Sequence, residues 1–223
     1  TAIGIAVFVM NSALTGVWSG ILWAVALTLA LLGTEVAWFF RDPHREVPGK
    51  EGQVVSPADG KVVHIEEVED EFVGPAIEIG IFLSIFNVHI NRTPLAARVI
   101  GLRYQPGKCL NALRPESAKV NERLVVRMEG IRPPFRRMIV RQITGAIARR
   151  IVCWLKPGDE LARGEQFGMI KLGSRTELVL PRENGLQLQV QVGDTVQAGS
   201  SLLAAYSSPV LNADTAAVKE VPE

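Results

Sequence analysis

The first 34 residues carry no charged side chain, and Glu35 is the only charge before Arg41. Nothing else in the chain restricts its folding as strongly. The segment GVWSGILWAVALTLALLGTEVAWFF (16–40) has the length of roughly 20 apolar residues that a helix needs to cross a bilayer core. Trp18, Trp23, Trp38, Phe39 and Phe40 fall towards its ends like an interfacial aromatic belt, and Arg41, Arg45 and Lys50 follow at once. By the positive-inside rule the chain after residue 40 lies on the cytoplasmic side of the cell (inner) membrane. A cleaved signal peptide fits less well, because the apolar region is too long and lacks a basic start; the soluble alternative is a buried core helix. AIGIAVFVM (2–10) is apolar but short and is followed by Asn11, Ser12 and Gly16, so helix and hairpin both stay open.

The remaining residues are soluble in character. The net charge of the 223-residue chain is +1, which says nothing about a polyanionic partner. Between Arg98 and Arg150, however, Lys and Arg far outnumber Glu, which suits either a solvated face or a face for anionic lipid head groups or nucleic acid; a lipid and no nucleic acid is expected. Cys109 and Cys153 make no disulfide framework and read as small hydrophobes, while His44 and His64 read as linker and strand-surface residues. With three histidines in all, no metal site is expected.

RDPHREVPGKEG (41–52) reads as a linker between a membrane anchor (1–40) and a β-rich domain (53–210), with 211–223 a flexible tail. In QVVSPADGKVVHIEEV (53–68) an Asp-Gly pair between Val-rich runs predicts a hairpin, and AIEIGIFLSIFNVHI (76–90) predicts one long buried strand. Gly-Asp-x-[Leu/Val]-x-x-Gly occurs twice, at 158–164 and 193–199, predicting two equivalent tight turns whose glycines take positive φ. A mostly β (α+β) fold follows. Its C-terminal part is expected to be a duplicated, flattened barrel sandwich of the lipoyl/biotinyl type.

FGMIKLGSRTELVLP (167–181) lies between the two copies, and its Gly173-Ser174 pair interrupts an otherwise strand-like run. A carrier domain modified on Lys171 is one reading. The other is an enzyme, with Asp59, His89 and Ser174 as the acid, base and nucleophile that an activated serine requires. No Gly-x-Ser-x-Gly elbow surrounds Ser174, as a serine hydrolase would have. A serine directly after glycine is instead well placed to attack the unhindered carbonyl of its own peptide bond.

FFRDPHREVP, VSPADGKV, FLSIFNVHINRTP and ARRIVCWLKPGDELARGEQFGMIKLGSRTELVLP resemble the short, membrane-anchored form of phosphatidylserine decarboxylase, in the right order and over nearly all of residues 35–205. The resemblance implies a proenzyme cut between Gly173 and Ser174 into a β chain (1–173) and an α chain (174–223). It implies that His89, oriented by Asp59, deprotonates Ser174, and that Ser174 becomes a covalent pyruvoyl cofactor. That ketone would serve as the electron sink for loss of carbon dioxide from phosphatidylserine, the part pyridoxal phosphate plays elsewhere. The implied partners are the phospholipid membrane and the two chains of the same precursor, with self-association into a homo-oligomer left open. The long form of the family has Thr where this chain has Arg175, and a further His where this chain has Phe86.

Overall fold

The computed structural model describes residues 2–110, 112, 117–146, 150–170 and 174–207. Lys171, Gly173 and the expected tail 211–223 therefore lie outside the described residues. Two compact units result, Thr1–Arg41 and Asp42–Glu223.

The first unit is one helix, α1 (Ala2–Phe39), and not a hairpin. The Asn11-Ser12 pair and Gly16 do not end it, because no proline or extended polar run accompanies them. Gly16–Phe39 is long and apolar enough to span a membrane. Its hydroxyls are satisfied within the helix, Thr28 Oγ1 donating to Ala24 O (2.8 Å) and Thr34 Oγ1 to Ala30 O (2.9 Å), as a lipid environment demands. The Arg41 guanidinium sits 4.4 Å from the centre of the Trp38 ring.

The second unit is almost entirely antiparallel β structure. Its strands are β1 (Gln53–Val55), β2 (Gly60–Asp70), β3 (Gly74–Leu83), β4 (Ile90–Arg92) and β5 (Ala97–Gln105), followed by the short helix α2 (Ser117–Val120). Next come β6 (Arg123–Gly130), β7 (Arg137–Ile143), β8 (Ile151–Cys153), β9 (Glu160–Leu161) and β10 (Gln166–Ile170). The last four are β11 (Ser174–Pro181), β12 (Leu186–Leu188), β13 (Thr195–Val196) and β14 (Leu202–Tyr206). A large sheet runs β13-β2-β3-β11-β7-β6-β5-β9, and two smaller ones run β1-β14-β12 and β4-β10-β8. Side chains alternating inward along the central strands, among them Ile79, Ile81, Leu83, Val140, Leu178 and Leu180, build the main core with Phe167 and Leu203.

Two local expectations are corrected. The Asp-Gly pair at 59–60 does not close a hairpin: β1 pairs with β14, and β2 pairs with β3 and β13. Gly60 is there because a Cβ would lie 2.1 Å from the carbonyl oxygen of Phe82, so the glycine serves a close strand approach and not a tight turn. The 76–90 run is two strands, separated by a turn in which Asn87 N donates to Ser84 O (3.0 Å).

The repeated Gly-Asp motif is a repeated structure. Gly158, Gly164, Gly193 and Gly199 all have positive φ. Gly158 N donates to Val99 O and Gly193 N to Val62 O, each at 2.8 Å; Gly164 N donates to Thr93 O and Gly199 N to Ser56 O, also at 2.8 Å. The segments that accept from Gly199 and Gly164, residues 55–57 and 92–94, exchange a reciprocal pair, Arg92 N to Pro57 O (2.9 Å) and Val55 N to Pro94 O (3.1 Å). Residues 42–52 are laid along this β unit: Asp42 accepts from Arg92 (2.9 Å) and Gln166 (2.6 Å), and the Lys50 carbonyl accepts from Arg163 (2.7 Å).

Candidate active site

β11 lies between β3 and β7, and all eight of its residues are buried. Ser174 is its first residue, paired with Leu83, the last residue of β3. A few residues back along the chain, Ile170 N donates to the carbonyl of His89 (3.3 Å). Leu83 is thus paired with Ser174 and His89 bonded to Ile170, which brings Ser174 and His89 to the same end of the large sheet. Ser174 is 0% exposed and its Oγ has no hydrogen-bond partner among the described residues. A buried hydroxyl left unpaired costs on the order of 1–3 kcal/mol, so a serine here is held against stability.

His89 is 1% exposed. Its Nδ1–H donates to the Asn87 carbonyl (2.9 Å), which in the neutral imidazole leaves the lone pair on Nε2, the acceptor that a general base needs. Asn87 is held in turn, its Oδ1 accepting from Ser84 N (2.8 Å) and Ser84 Oγ (2.7 Å). Asp59 precedes Gly60, which packs on the backbone of Phe82, so it enters at the Ser174 end of the sheet. Its carboxylate is occupied: Oδ1 accepts from Ala198 N (2.8 Å) and Oδ2 from Arg45 (2.7 Å), with both side chains of the ion pair about 10% exposed. The imidazole is therefore oriented by Asn87 in this structure, while Asp59 is clamped by an arginine from the segment that follows the apolar helix.

A polar layer continues from Ser174 along the inner face of the sheet. Thr176, two residues on, accepts from Asn91 Nδ2 (3.1 Å), and Asn91 Oδ1 accepts from Gln142 Nε2 (2.8 Å). All three residues are fully buried, and Gln142 Oε1 has no partner among the described residues. Polar groups this deep in a β core are costly unless hydrogen-bonded, and Asn91 meets that demand by bonding to both of the others. Their positions in apolar strands gave no periodic signal, and neither Arg45 nor Asn87 stands out from its surroundings in the chain.

The model of the phosphatidylserine decarboxylase family matches residues 32–204. The chain belongs to the phosphatidylserine decarboxylase family. It is 56% identical over 184 residues to a phosphatidylserine decarboxylase proenzyme of Rhodopirellula baltica, covering 82% of this chain and 77% of that one. To the proenzyme of the same name from Carboxydothermus hydrogenoformans it is 41% identical over 203 residues, with 90% and 91% covered. A third, from Symbiobacterium thermophilum, is 45% identical over 183 residues, with 81% and 83% covered.

On the opposite face of β11 this family member carries an ionic cluster that corrects the reading of His64 as a surface residue. Arg175 Nη2 donates to His64 Nδ1 (2.6 Å), and His64 Nε2–H donates to Glu78 Oε1 (3.0 Å). Arg141 bridges Glu78, Glu177 (3.4 Å) and Asp70 (3.1 Å). The donor atoms of His64, Glu78 and Glu177 lie within 4.8 Å of one another, near enough to share a metal ion, but two guanidinium groups already supply the positive charge. Burial pushes the Glu78 carboxyl up, yet the His64 hydrogen bond and the Arg141 charge outweigh it and hold the group below its usual range. Burial and the neighbouring Glu78 charge push Glu177 up instead. Arg141→Met would leave Asp70, Glu78 and Glu177 without the guanidinium they share, and is expected to destabilise the β unit by about 3–5 kcal/mol. A thermal melt of the full chain in detergent reads this; an unchanged midpoint would show the cluster to be energetically idle.

Proposed function

We propose that this chain is the proenzyme of a phosphatidylserine decarboxylase, which cuts itself between Gly173 and Ser174 and then converts phosphatidylserine to phosphatidylethanolamine. The observation that carries the reading is Ser174: a buried serine with an unpaired Oγ, opening the central strand of the sheet, at the end where His89 also lies. His89 takes the proton from Ser174 Oγ, which attacks the Gly173 carbonyl. The peptide bond becomes an ester, with the amine of Ser174 set free. Removal of the Ser174 α-proton expels the Gly173 carboxylate and leaves dehydroalanine, whose hydrolysis yields a pyruvoyl group and ammonia.

The orphaned, buried position of Ser174 fits such a group, which when present supplies the electron sink for decarboxylation. His89, at the same end of the sheet, then serves as the proton donor. Asp59 acts through its negative charge at the same end of the sheet, and Arg45 sets where that charge sits. The Gly-Asp duplication and its paired hydrogen bonds support a barrel sandwich of the lipoyl type as the frame. The apolar helix anchors the enzyme in the membrane with the β unit on the cytoplasmic side, as Arg41, Arg45 and Lys50 suggest.

The direct test is the intact mass of the smaller fragment. A 174–223 fragment with a pyruvoyl-blocked N-terminus supports the reading, whereas an uncut chain or an adduct on Lys171 would refute it. Asp59→Asn is expected to slow processing about 100-fold. Arg45→Gln, which keeps the carboxylate but removes its clamp, slows it less. Pulse-chase on a denaturing gel ranks the two, and a wild-type rate for Asp59→Asn would remove Asp59 from the mechanism.

A further inference from the structure

The segment that follows the apolar helix reads as a linker, yet two of its side chains are fixed to elements of the site. Asp42, the first residue of the second unit, engages both carboxylate oxygens: Oδ1 accepts from Arg92 Nη2 of β4 (2.9 Å) and Oδ2 from Gln166 Nε2 of β10 (2.6 Å). Arg92 and Gln166 are register partners, so one carboxylate clips the two strands together. Farther along the same segment, Arg45 donates to Asp59 Oδ2 (2.7 Å). Pro43 stands between Asp42 and Arg45. Its ring fixes its own φ and keeps Asp42 extended, which limits how far the two side chains can shift relative to each other.

The two contacts meet again on the other side of Asp59. Arg92 Nη1 donates to Gly164 O (3.0 Å), and the Arg92 stem lies so close to Gly199 that a Cβ there would be 2.9 Å from Arg92 Cδ. Ala198, the residue before Gly199, gives its N–H to Asp59 Oδ1 (2.8 Å). A closed ring results: Asp42 to Arg92, Arg92 against Gly199, Ala198 to Asp59, Asp59 to Arg45, and Arg45 back to Asp42 along the chain. Each oxygen of the Asp59 carboxylate is held by one arm of that ring. The Asp42 side chain is 46% exposed, and an ion pair so open to water adds little to stability. What the arrangement supplies is placement.

We infer that Asp42 is a positioning residue for self-cleavage: through Arg92 on one side and Arg45 on the other it fixes where the Asp59 carboxylate sits. The inference rests on the decarboxylase reading and adds to it a residue, directly after the helix in the chain, that acts only through Asp59. Displacing a reacting group by about 1 Å costs on the order of 100-fold in rate, so a carboxylate loosened but still present should cost less than its loss.

A double-mutant cycle on the full-length chain tests this. Asp42→Ala is expected to slow the appearance of the 174–223 fragment about tenfold, whereas in the Asp59→Asn background the same change is expected to have no further effect. Equal slowing in both backgrounds would show that Asp42 acts on the fold at large, and an unslowed Asp42→Ala chain would show that it places nothing; either result overturns the inference. A second measure needs no cleavage. In the uncut Ser174→Ala chain, Asp42→Ala should speed hydrogen exchange of the Ala198 amide, the donor to Asp59, about tenfold and leave the melting midpoint unchanged. Unchanged exchange at Ala198, or exchange raised throughout the β unit with a lowered midpoint, counts against the positioning role. If the unmodified chain is never cut, the decarboxylase reading fails instead, and exchange at Ala198 still decides whether Asp42 holds Asp59.

Discussion

Replacing Ser174 by alanine is expected to leave the chain in one piece. The unmodified protein should run on a denaturing gel as fragments of about 19 and about 5 kDa, the shares of residues 1–173 and 174–223 in the 24.3 kDa chain. The variant should run as one band and show no carbonyl reactive towards hydroxylamine. The effect is all-or-none because one oxygen serves twice. Ser174 Oγ is the nucleophile that opens the peptide bond, and its departure as part of the ester creates the keto group. Folding should survive, since alanine removes a buried hydroxyl that has no partner to lose, and such a change is close to neutral or slightly stabilising. A folded Ser174→Ala protein still cut at residue 174 would remove the mechanism altogether.

His89→Ala is expected to slow processing by on the order of 10²–10⁴-fold, the usual contribution of a positioned general base. The imidazole is buried and its Nδ1–H is committed to Asn87, so the neutral ring has a single lone pair, on Nε2, with which to take a proton. Without it, attack depends on a serine hydroxyl in its ordinary protonated state. The time course of fragment appearance after synthesis measures the rate. Chemical rescue separates a base from a structural residue: added imidazole should restore part of the rate lost in the variant. A His89→Ala chain cut at the native rate places the base elsewhere.

How far the sequence alone reaches depends on the range of the interactions involved. The apolar helix and the two Gly-Asp turns were readable because each is local: an uncharged run, and glycines at positions of positive φ. Ser174 and His89 were readable as polar residues in apolar runs of the chain, and the family resemblance added their order. The Asp59-Gly60 pair misled, because the carbonyl of Phe82 that excludes a side chain there comes from a strand more than twenty residues away. The same limit hid the clamp on Asp59. Arg45 reads as a linker cation, and only the folded chain brings it to 2.7 Å from a carboxylate on another element. His64 and Arg175 become partners only through the pairing of β2, β3 and β11. Asn91, Gln142 and Thr176 come from three separate strands, so no window along the chain contains their network.

The place of β11 between β3 and β7 has a consequence for what the protein is once it has been cut. The smaller piece would begin with an inner strand, bonded on both sides to strands of the larger piece, and β13 and β14 are bonded to β2 and β1. Formally this is a heterodimer, yet its subunits never met by diffusion, because the interface was complete before there were two of them. Each piece holds the other at an effective concentration set by an intact sheet and not by the solution. Dilution should therefore not inactivate the enzyme. Mixing separately made halves should not rebuild it either, since a strand would have to be inserted into the middle of a closed ladder instead of added at an edge. The single precursor is in that sense the only practical route to the two-chain enzyme.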